Sequence, residues 1–440
     1  MTAPEKPGTH QKALSLNLDA KIFGSFAEIG AGQEVARWFL RVGGASGTVA
    51  KAISAYDKEV CDRLYGTGTR YVSKARLEAM LSSEWEELLQ QLRTSRGADT
   101  KFFCFVDTVS ARNYAGTNDC HGWIGLRFLV DPGGSPNDVI LHANLRDRSN
   151  ALQQEAVGIL GVNLIYAAYH HPGSAEKFLA SVFEHLGLDR IEIDCLDVRG
   201  PAFESWDLNE IHAHLVVSGF AEAVAFPADK QFVPPNELLY KRALVLAPGR
   251  LENIDQLHAG LIRDTLSQLP REERDTSKGG LGLFCLSIAR VREGAQAPLQ
   301  EICAHVESLR ALGYGVLLFR AQELYRMSSY LNRYTKSRIH FAIGLRVLVW
   351  VFGDRYEQLA GTLVEGIARL FTQNVRLIVY PTPAEEIQAT VHKTGLTGWR
   401  WSTSNKMVSA EDLHPPEPLD FLYQYLLHSE LILPGKSQGH

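Results

Sequence analysis

The side chains with most chemical reach gather between Asp107 and Glu155. This stretch holds Asp107, Arg112, Asn113, Asn118, Asp119, His121, Arg127, His142, Asn144, Asp147, Gln153, Gln154 and Glu155. Imidazole titrates near neutrality without help from its surroundings, so His121 or His142 would serve as a general acid or base. His142 and Asn144 are two apart, and on a strand such residues share a face. Gln154 and Glu155 open a helix whose first N–H groups favour an anion. One polar pocket is therefore expected, with His121, His142, Asp147 and Glu155 as catalytic groups and Asn118, Asn144 and Gln154 as ligand contacts. A divalent metal, Mg2+ for example, would find its ligands among Asp107, His121, His142 and Asp147, although their spacing matches no metal motif. The plain alternative is a set of Asn and Asp side chains capping turns.

A second constellation is Gly43-Gly44-Ala45-Ser46-Gly47-Thr48, followed by Lys51. Backbone N–H groups of such a loop cradle phosphates, so Gly43, Gly44, Gly47, Thr48 and Lys51 are expected to bind one. No lysine follows the last glycine directly, so this is not a Walker loop, and a turn between helices is the alternative. Ala27-Glu28-Ile29-Gly30-Ala31-Gly32 resembles the acidic-Gly-x-Gly motif of S-adenosylmethionine methyltransferases, with Glu34 at the usual third glycine. Asp194 and Asp197 end a strand, where a carboxylate holds a metal or a ribose hydroxyl, or caps the following loop. His212 and His214 diverge at i and i+2 of a helix. Arg320, Tyr325, Arg326, Arg333, Tyr334 and Arg338 give a positive helix that either binds phosphate or faces solvent. No Gly-x-Ser-x-Gly elbow is present.

The elements that must position these groups are those of an α/β protein with mixed sheets, flanking helices and a helical N-terminal segment. A chain of 440 residues exceeds one hydrophobic core, so two α/β domains are expected. Residues 1–15 read as a flexible tail, and Lys21–Tyr65 as mostly helical. Ser73 caps a helix reaching Arg93. Phe102–Val109, Trp123–Val130 and Val139–Leu145 read as strands, and Asp131-Pro132-Gly133-Gly134 makes the last two antiparallel. A long helix from Asn150 to Tyr169 carries Gly158 and Gly161, which suit close packing. Helices and strands then alternate to Leu269. The charged segment Pro270–Lys278 is the expected boundary between a first domain, 16–270, and a second, 279–440. Leu281–Ala289, Leu299–Leu312 and Gly315–Phe319 form a β-α-β unit. Ile124–Val130 and Ile343–Val349 echo each other, which either an internal duplication or the sameness of apolar strands explains.

Composition narrows the functions. A net charge of −5 with no basic segment argues against bulk binding of nucleic acid or anionic membranes. The six cysteines are scattered and form no CxxC pair, unlike a disulfide framework. Met1–Gln11 has no apolar signal core, and the apolar run Ile339–Phe352 is shorter than the ~20 residues of a spanning helix. A cytoplasmic protein is expected.

Several stretches resemble a family of uncharacterised bacterial proteins: Phe26–Arg37, Gly43–Lys51, Ser54–Asp57, Asn118–Gly125, Gln153–Tyr166 and Tyr330–Thr335. Members carry the names nicotinate-nucleotide adenylyltransferase or TonB-dependent receptor. The first name implies nucleotidyl transfer, which in that class uses a His-x-Gly-His motif that this sequence lacks. The second implies an outer-membrane barrel, at odds with a helix-rich pattern. The leading expectation is a cytoplasmic enzyme acting on a nucleotide-like or phosphorylated small molecule. The rivals are a non-catalytic ligand-binding or scaffold protein, as a homodimer, and an S-adenosylmethionine-dependent methyltransferase.

Overall fold

Lys101–Ser110 carries Phe102, Phe103, Cys104, Phe105 and Val106 in succession, all buried. A run apolar on both sides of the pleat belongs inside a sheet. It lies there in the computed structural model, which describes residues 6–68, 70–251, 254–274, 279–288, 299–353, 356–372, 374–394, 396–402 and 406–436. The chain divides into two units, Met1–Glu222 and Ala223–His440, each with helices flanking a mixed sheet.

The first unit contains α1 (Thr9–Asn17), β1 (Ile22–Gly30), α2 (Val35–Val42), β2 (Val49–Ile53), α3 (Lys58–Tyr65), α4 (Lys74–Arg96), β3 (Lys101–Ser110), β4 (His121–Phe128), β5 (Asn137–Leu145), α5 (Asn150–His170), α6 (Ala175–Val182), β6 (Ile191–Arg199) and α7 (Leu208–Val217). Its sheet runs β2-β1-β3-β4-β5-β6. β2, β1 and β3 are parallel, and β4, β5 and β6 add antiparallel to them. The carboxyl ends of β1, β3 and β5 therefore share one edge with the starts of β4 and β6. α4 covers one face, its Leu77 against Gly125. α2 and α5 cover the other, where Gly161 lets α5 approach Val35 and Phe105. On that face Phe26, Phe39, Phe103 and Phe105 form a ring cluster with centroids 5.0 to 6.5 Å apart. Burying each such side chain contributes about 1.5–3 kcal/mol. The helix starts follow their caps: Ser73 Oγ accepts from the Arg76 N–H at 3.2 Å and Ser149 Oγ from that of Leu152 at 3.3 Å.

The second unit contains β7 (Ala223–Phe226), α8 (Pro235–Leu239), β8 (Leu244–Arg250), α9 (Gln256–Gln268), α10 (Arg271–Arg274), β9 (Leu281–Ser287), α11 (Leu299–Arg310), β10 (Gly315–Phe319), α12 (Leu324–Tyr334), β11 (Ile339–Gly344), α13 (Leu345–Gly353), α14 (Thr362–Leu370), β12 (Val375–Tyr380), α15 (Ala384–Thr394) and α16 (Leu419–His428). With a last short strand, Ile432–Pro434, its sheet order is Ile432–Pro434, β12, β11, β8, β9, β10, β7. All neighbours are parallel except β7 on β10. The chain steps from β8 to β10 in one direction, then returns to β11 on the other side of β8. This is doubly wound order, with its reversal between β8 and β11.

Four sequence expectations change. The described part of residues 1–15 is no tail. α1 starts at Thr9, and Lys12 is buried with Nζ 2.6 Å from Glu184 and 2.8 Å from Asn163 Oδ1. Ile22–Gly30, expected helical, is a strand between two parallel neighbours. It is buried at every position but the last, so no polar alternation marks it. The chain divides at Glu222 and not within Pro270–Lys278, because β7 and β8 pair into the second sheet. Residues 275–278 of that segment lie outside the described residues, as does Ala289 of the expected strand Leu281–Ala289. The echoing heptapeptides adopt different structures. Ile124–Phe128 is strand, whereas Ile343–Val349 passes from β11 into α13. Duplication does not explain them.

Candidate active site at the strand-end edge

β4 and β5 pair so that His121 faces Asn144 and Trp123 faces His142. The pleat places these four side chains on the α4 face, together with Ser110, which is in register with His121. β6 supplies the remaining group through an irregularity. His142 pairs with Cys195 and Ala143 with Ile193, so Asp194 is an extra residue, a β-bulge. The bulge aims the carboxylate at the same face. Its Oδ1 lies 2.6 Å from His142 Nδ1, and its Oδ2 accepts from Asn144 Nδ2 at 2.7 Å. His142 Nε2 in turn lies 2.9 Å from His121 Nδ1.

With a neutral imidazole at His142, these contacts set one tautomer for each ring. A carboxylate accepts, so His142 carries its proton on Nδ1 and accepts on Nε2. His121 must then donate from Nδ1, which leaves its Nε2 lone pair free of the line. The line runs from Asp194 and His142, both fully buried, to the partly exposed His121. The Trp123 ring, 5.0 Å from that of His142, walls it on one side. Burial, reinforced by the neighbouring His142 and Arg70 and opposed by Asp194, lowers the His121 pKa to about 4. His121 is therefore neutral at neutral pH, a base with an oriented lone pair.

A second pair of titratable groups lies on the opposite face near the same edge. Glu28 and Asp107 are register partners on β1 and β3. The Glu28 carboxylate accepts the N–H groups of Val35 and Ala36, at 2.9 and 3.0 Å, at the start of α2. Asp107 is fully buried and packs against Gly32, where a Cβ would collide with its carboxylate. Neither Asp107 oxygen completes a hydrogen bond, and the Ile29 N–H offers it weak compensation. Burial raises Glu28 to about 7, and burial beside Glu28 holds Asp107 well above the usual carboxylate range. The two behave as one coupled carboxyl pair.

The other expected site residues are placed elsewhere or engaged. Asn118 organises its own loop: Oδ1 accepts from the Asn113 N–H at 2.8 Å, and Nδ2 donates to Ala111 O at 2.7 Å and Ser110 Oγ at 3.1 Å. Arg190 binds both Asp147, at 2.9 Å, and Glu155, at 2.8 Å. Gln154 and Glu155 line a surface depression of about 390 Å3 between α2 and α5, on the face opposite His121. Gly43 and Gly44 take positive φ, and the Asn17 amide closes the turn by donating to Phe39 O and Gly43 O. Gly47 ends a single 3-10 turn, and Thr48 is buried. Lys51 Nζ lies 2.6 Å from Glu84 and 2.8 Å from Glu87. This loop enters β2 beside Gly24, six residues before the end of β1, hence ~20 Å from the edge that carries His121. It cannot share one small ligand with the histidines. Asp107, His121, His142 and Asp147 do not converge, and no three His, Cys, Asp or Glu side chains among the described residues are placed to hold a metal.

Sequence reasoning brought His142, Asn144 and His121 together but read Asp194 only as a strand-end carboxylate. The available signal was a charged pair, Glu192 and Asp194, alternating with the apolar residues Ile191, Ile193 and Cys195 in the first half of the strand.

No protein-family model matches the chain, and no curated protein matches it. Among solved structures it is similar to the competence/damage inducible protein CihA from Agrobacterium tumefaciens, with 17% identity over 38% of this chain and 98% of that one, TM-score 0.27. It is also similar to a competence or damage-inducible protein from Enterobacter asburiae, with 12% identity over 37% of this chain and 99% of that one, TM-score 0.27. A CinA superfamily protein from Klebsiella pneumoniae aligns with 13% identity over 40% of this chain and 99% of that one, TM-score 0.27. TM-scores this low assign neither family nor activity to the chain. Among the described residues no helix is long and apolar enough to cross a membrane.

Proposed function

We propose that the first unit is the catalytic part of an enzyme in which His121 Nε2 is the general base, acting on a phosphorylated or nucleotide-like small molecule at the strand-end edge. The observation that carries this reading is the hydrogen-bonded line Asp194–His142–His121. A purely structural histidine needs one partner. Here two buried side chains from two neighbouring strands, His142 and Asp194, orient a single nitrogen of His121. His121 takes the proton of a hydroxyl or water as it attacks, and the positive charge that develops on the imidazole is balanced through His142 by Asp194. The same nitrogen then returns the proton to the leaving group. Such acid–base assistance accelerates a reaction by roughly 10^2–10^4.

An anionic substrate suits this resting basicity. A base at about 4 is weak for work at pH 7. A negative group ~4 Å away interacts by about 4 kcal/mol in a partly screened site, enough to bring His121 near neutrality. The base is then awakened by the substrate it serves. Arg70, whose charge acts on His121, and the exposed Arg112 beyond the end of β3 offer the countercharge for a phosphate.

The test is a 31P NMR turnover screen of nucleotides and sugar phosphates with wild type, His121→Gln and Asp194→Asn. Turnover in wild type that falls ~10^2-fold or more in both variants is expected. No turnover of any compound, or turnover that His121→Gln leaves intact, overturns the reading.

A further inference from the structure

Doubly wound sheets bind ligands outside the carboxyl ends of their strands, where the strand order reverses. In the second unit that place is a crevice of about 150 Å3, bounded by the end of β8, the segment after β10, and helices α12 and α13. An apolar cavity of ~150 Å3 accepts one benzene-sized ring. Met327, Trp350 and Tyr356 line this one and offer thioether and aromatic surface to a flat ring. Three polar side chains converge on the same space. Gln322 lines the crevice, and its Oε1 is a buried acceptor without a hydrogen-bond partner. The Glu323 carboxylate beside it accepts hydroxyls. The Arg250 guanidinium, 5.8 Å from the Trp350 ring centroid, is the cation of the crevice.

The backbone at Tyr356 is unusual in a way that fits. Its φ of 47° lies in the left-handed region, which an aromatic residue adopts at a cost. The conformation is held by Tyr356 OH donating to Val351 O at 2.9 Å and by the Tyr325 ring at 5.6 Å. Strain of this kind persists where surrounding structure over-determines it, often at ligand clamps.

We propose that this crevice binds a nucleoside monophosphate whose base carries an amine. The base fills the ring-sized cavity and donates to Gln322 Oε1, the ribose hydroxyls meet Glu323, and the phosphate meets Arg250. The site belongs to the second unit alone and does not depend on the role of His121.

Isothermal titration of the full chain with AMP, with orthophosphate as control, tests it. AMP binding is expected, with affinity reduced at least ~10-fold by Trp350→Ala and by Gln322→Leu. Trp350 and Gln322 are only partly buried, and thermal melting monitored by circular dichroism checks that their variants fold. Absence of AMP binding, equal binding of orthophosphate, or AMP affinity that survives Trp350→Ala each overturns the proposal.

Discussion

Asp194 reaches His142 because β6 holds one residue more than its partner strand at that point. The 2.6 Å contact between Oδ1 and Nδ1 is a product of the bulge. A regular ladder would set residues 194 and 195 on opposite sides of the sheet in strict alternation with β5, and the aim of the carboxylate would change.

Asp194→Asn keeps the shape of this contact and removes its charge. The expected outcome is a folded protein, destabilised by about 1–3 kcal/mol, whose turnover falls ~10^2–10^4-fold because the imidazolium no longer has a counterion. Urea unfolding and initial rates on one substrate separate the two effects.

Acid should weaken the fold through two histidines. His121 and His212 are both lowered to about 4, chiefly by burial. The unfolded chain therefore takes up their protons first as the pH falls below about 6.5. Stability is intact above that value and is lost on the way down to about 4, by on the order of 3 kcal/mol per histidine. Unfolding midpoints at pH 7.5, 5.5 and 4.5 should fall less steeply for His121→Gln than for wild type. Parallel curves would mean that His121 is not buried neutral.

The Glu28–Asp107 pair predicts a dependence of opposite sign. Glu28 is raised to about 7 in the folded protein, so the folded state holds its proton over a range where the unfolded chain, near 4.3, has released it. Stability contributed by this pair falls as the pH rises from about 4.3 to about 7. Asp107→Asn removes the neighbouring charge. It should raise the melting temperature at pH 8 by a few degrees and change it little at pH 5. An equal drop at both values would show a packing loss instead.

Lys51→Met separates the phosphate reading of the Gly43–Thr48 loop from the ion pairs that the fold assigns to it. The buried Glu84 would lose its cation, and a stability loss of about 1–3 kcal/mol is expected after allowing for the partial exposure of Lys51. Affinity for phosphorylated ligands, measured by titration on the folded variant, should not change.

Much of the fold was legible in the sequence. The turn at Asp131–Gly134 gave the β4–β5 hairpin, and serine caps gave the starts of α4 and α5. The i, i+2 spacing put His142 and Asn144 on one face. Periodicity failed at β1, where burial on both sides erases the alternation that marks a half-exposed strand. It failed again at Leu345, where β11 turns directly into α13 with no break in apolar character. The polar cluster from Asp107 to Glu155 was read as one pocket, but the pleat divides it: Asp107 faces α2, His121 and His142 face α4, and Glu155 lies beyond the sheet on α5. Alternation within a strand was visible; which strand lay beside it was not. Lys12 shows the same limit, since its partners Asn163 and Glu184 are more than a hundred residues away and nothing local announces them.

The hydrogen-bonded line meets solvent at His121, its one partly exposed member among His121, His142 and Asp194. Among the described residues no side-chain hydrogen bond leads on from Asp194 beyond His142 and Asn144. A proton taken up at His121 can be given back on the same side of the sheet. Under the proposed function, a base that takes and returns its proton at one nitrogen suits chemistry that closes its own proton account within one turnover, such as group transfer, hydrolysis or isomerisation.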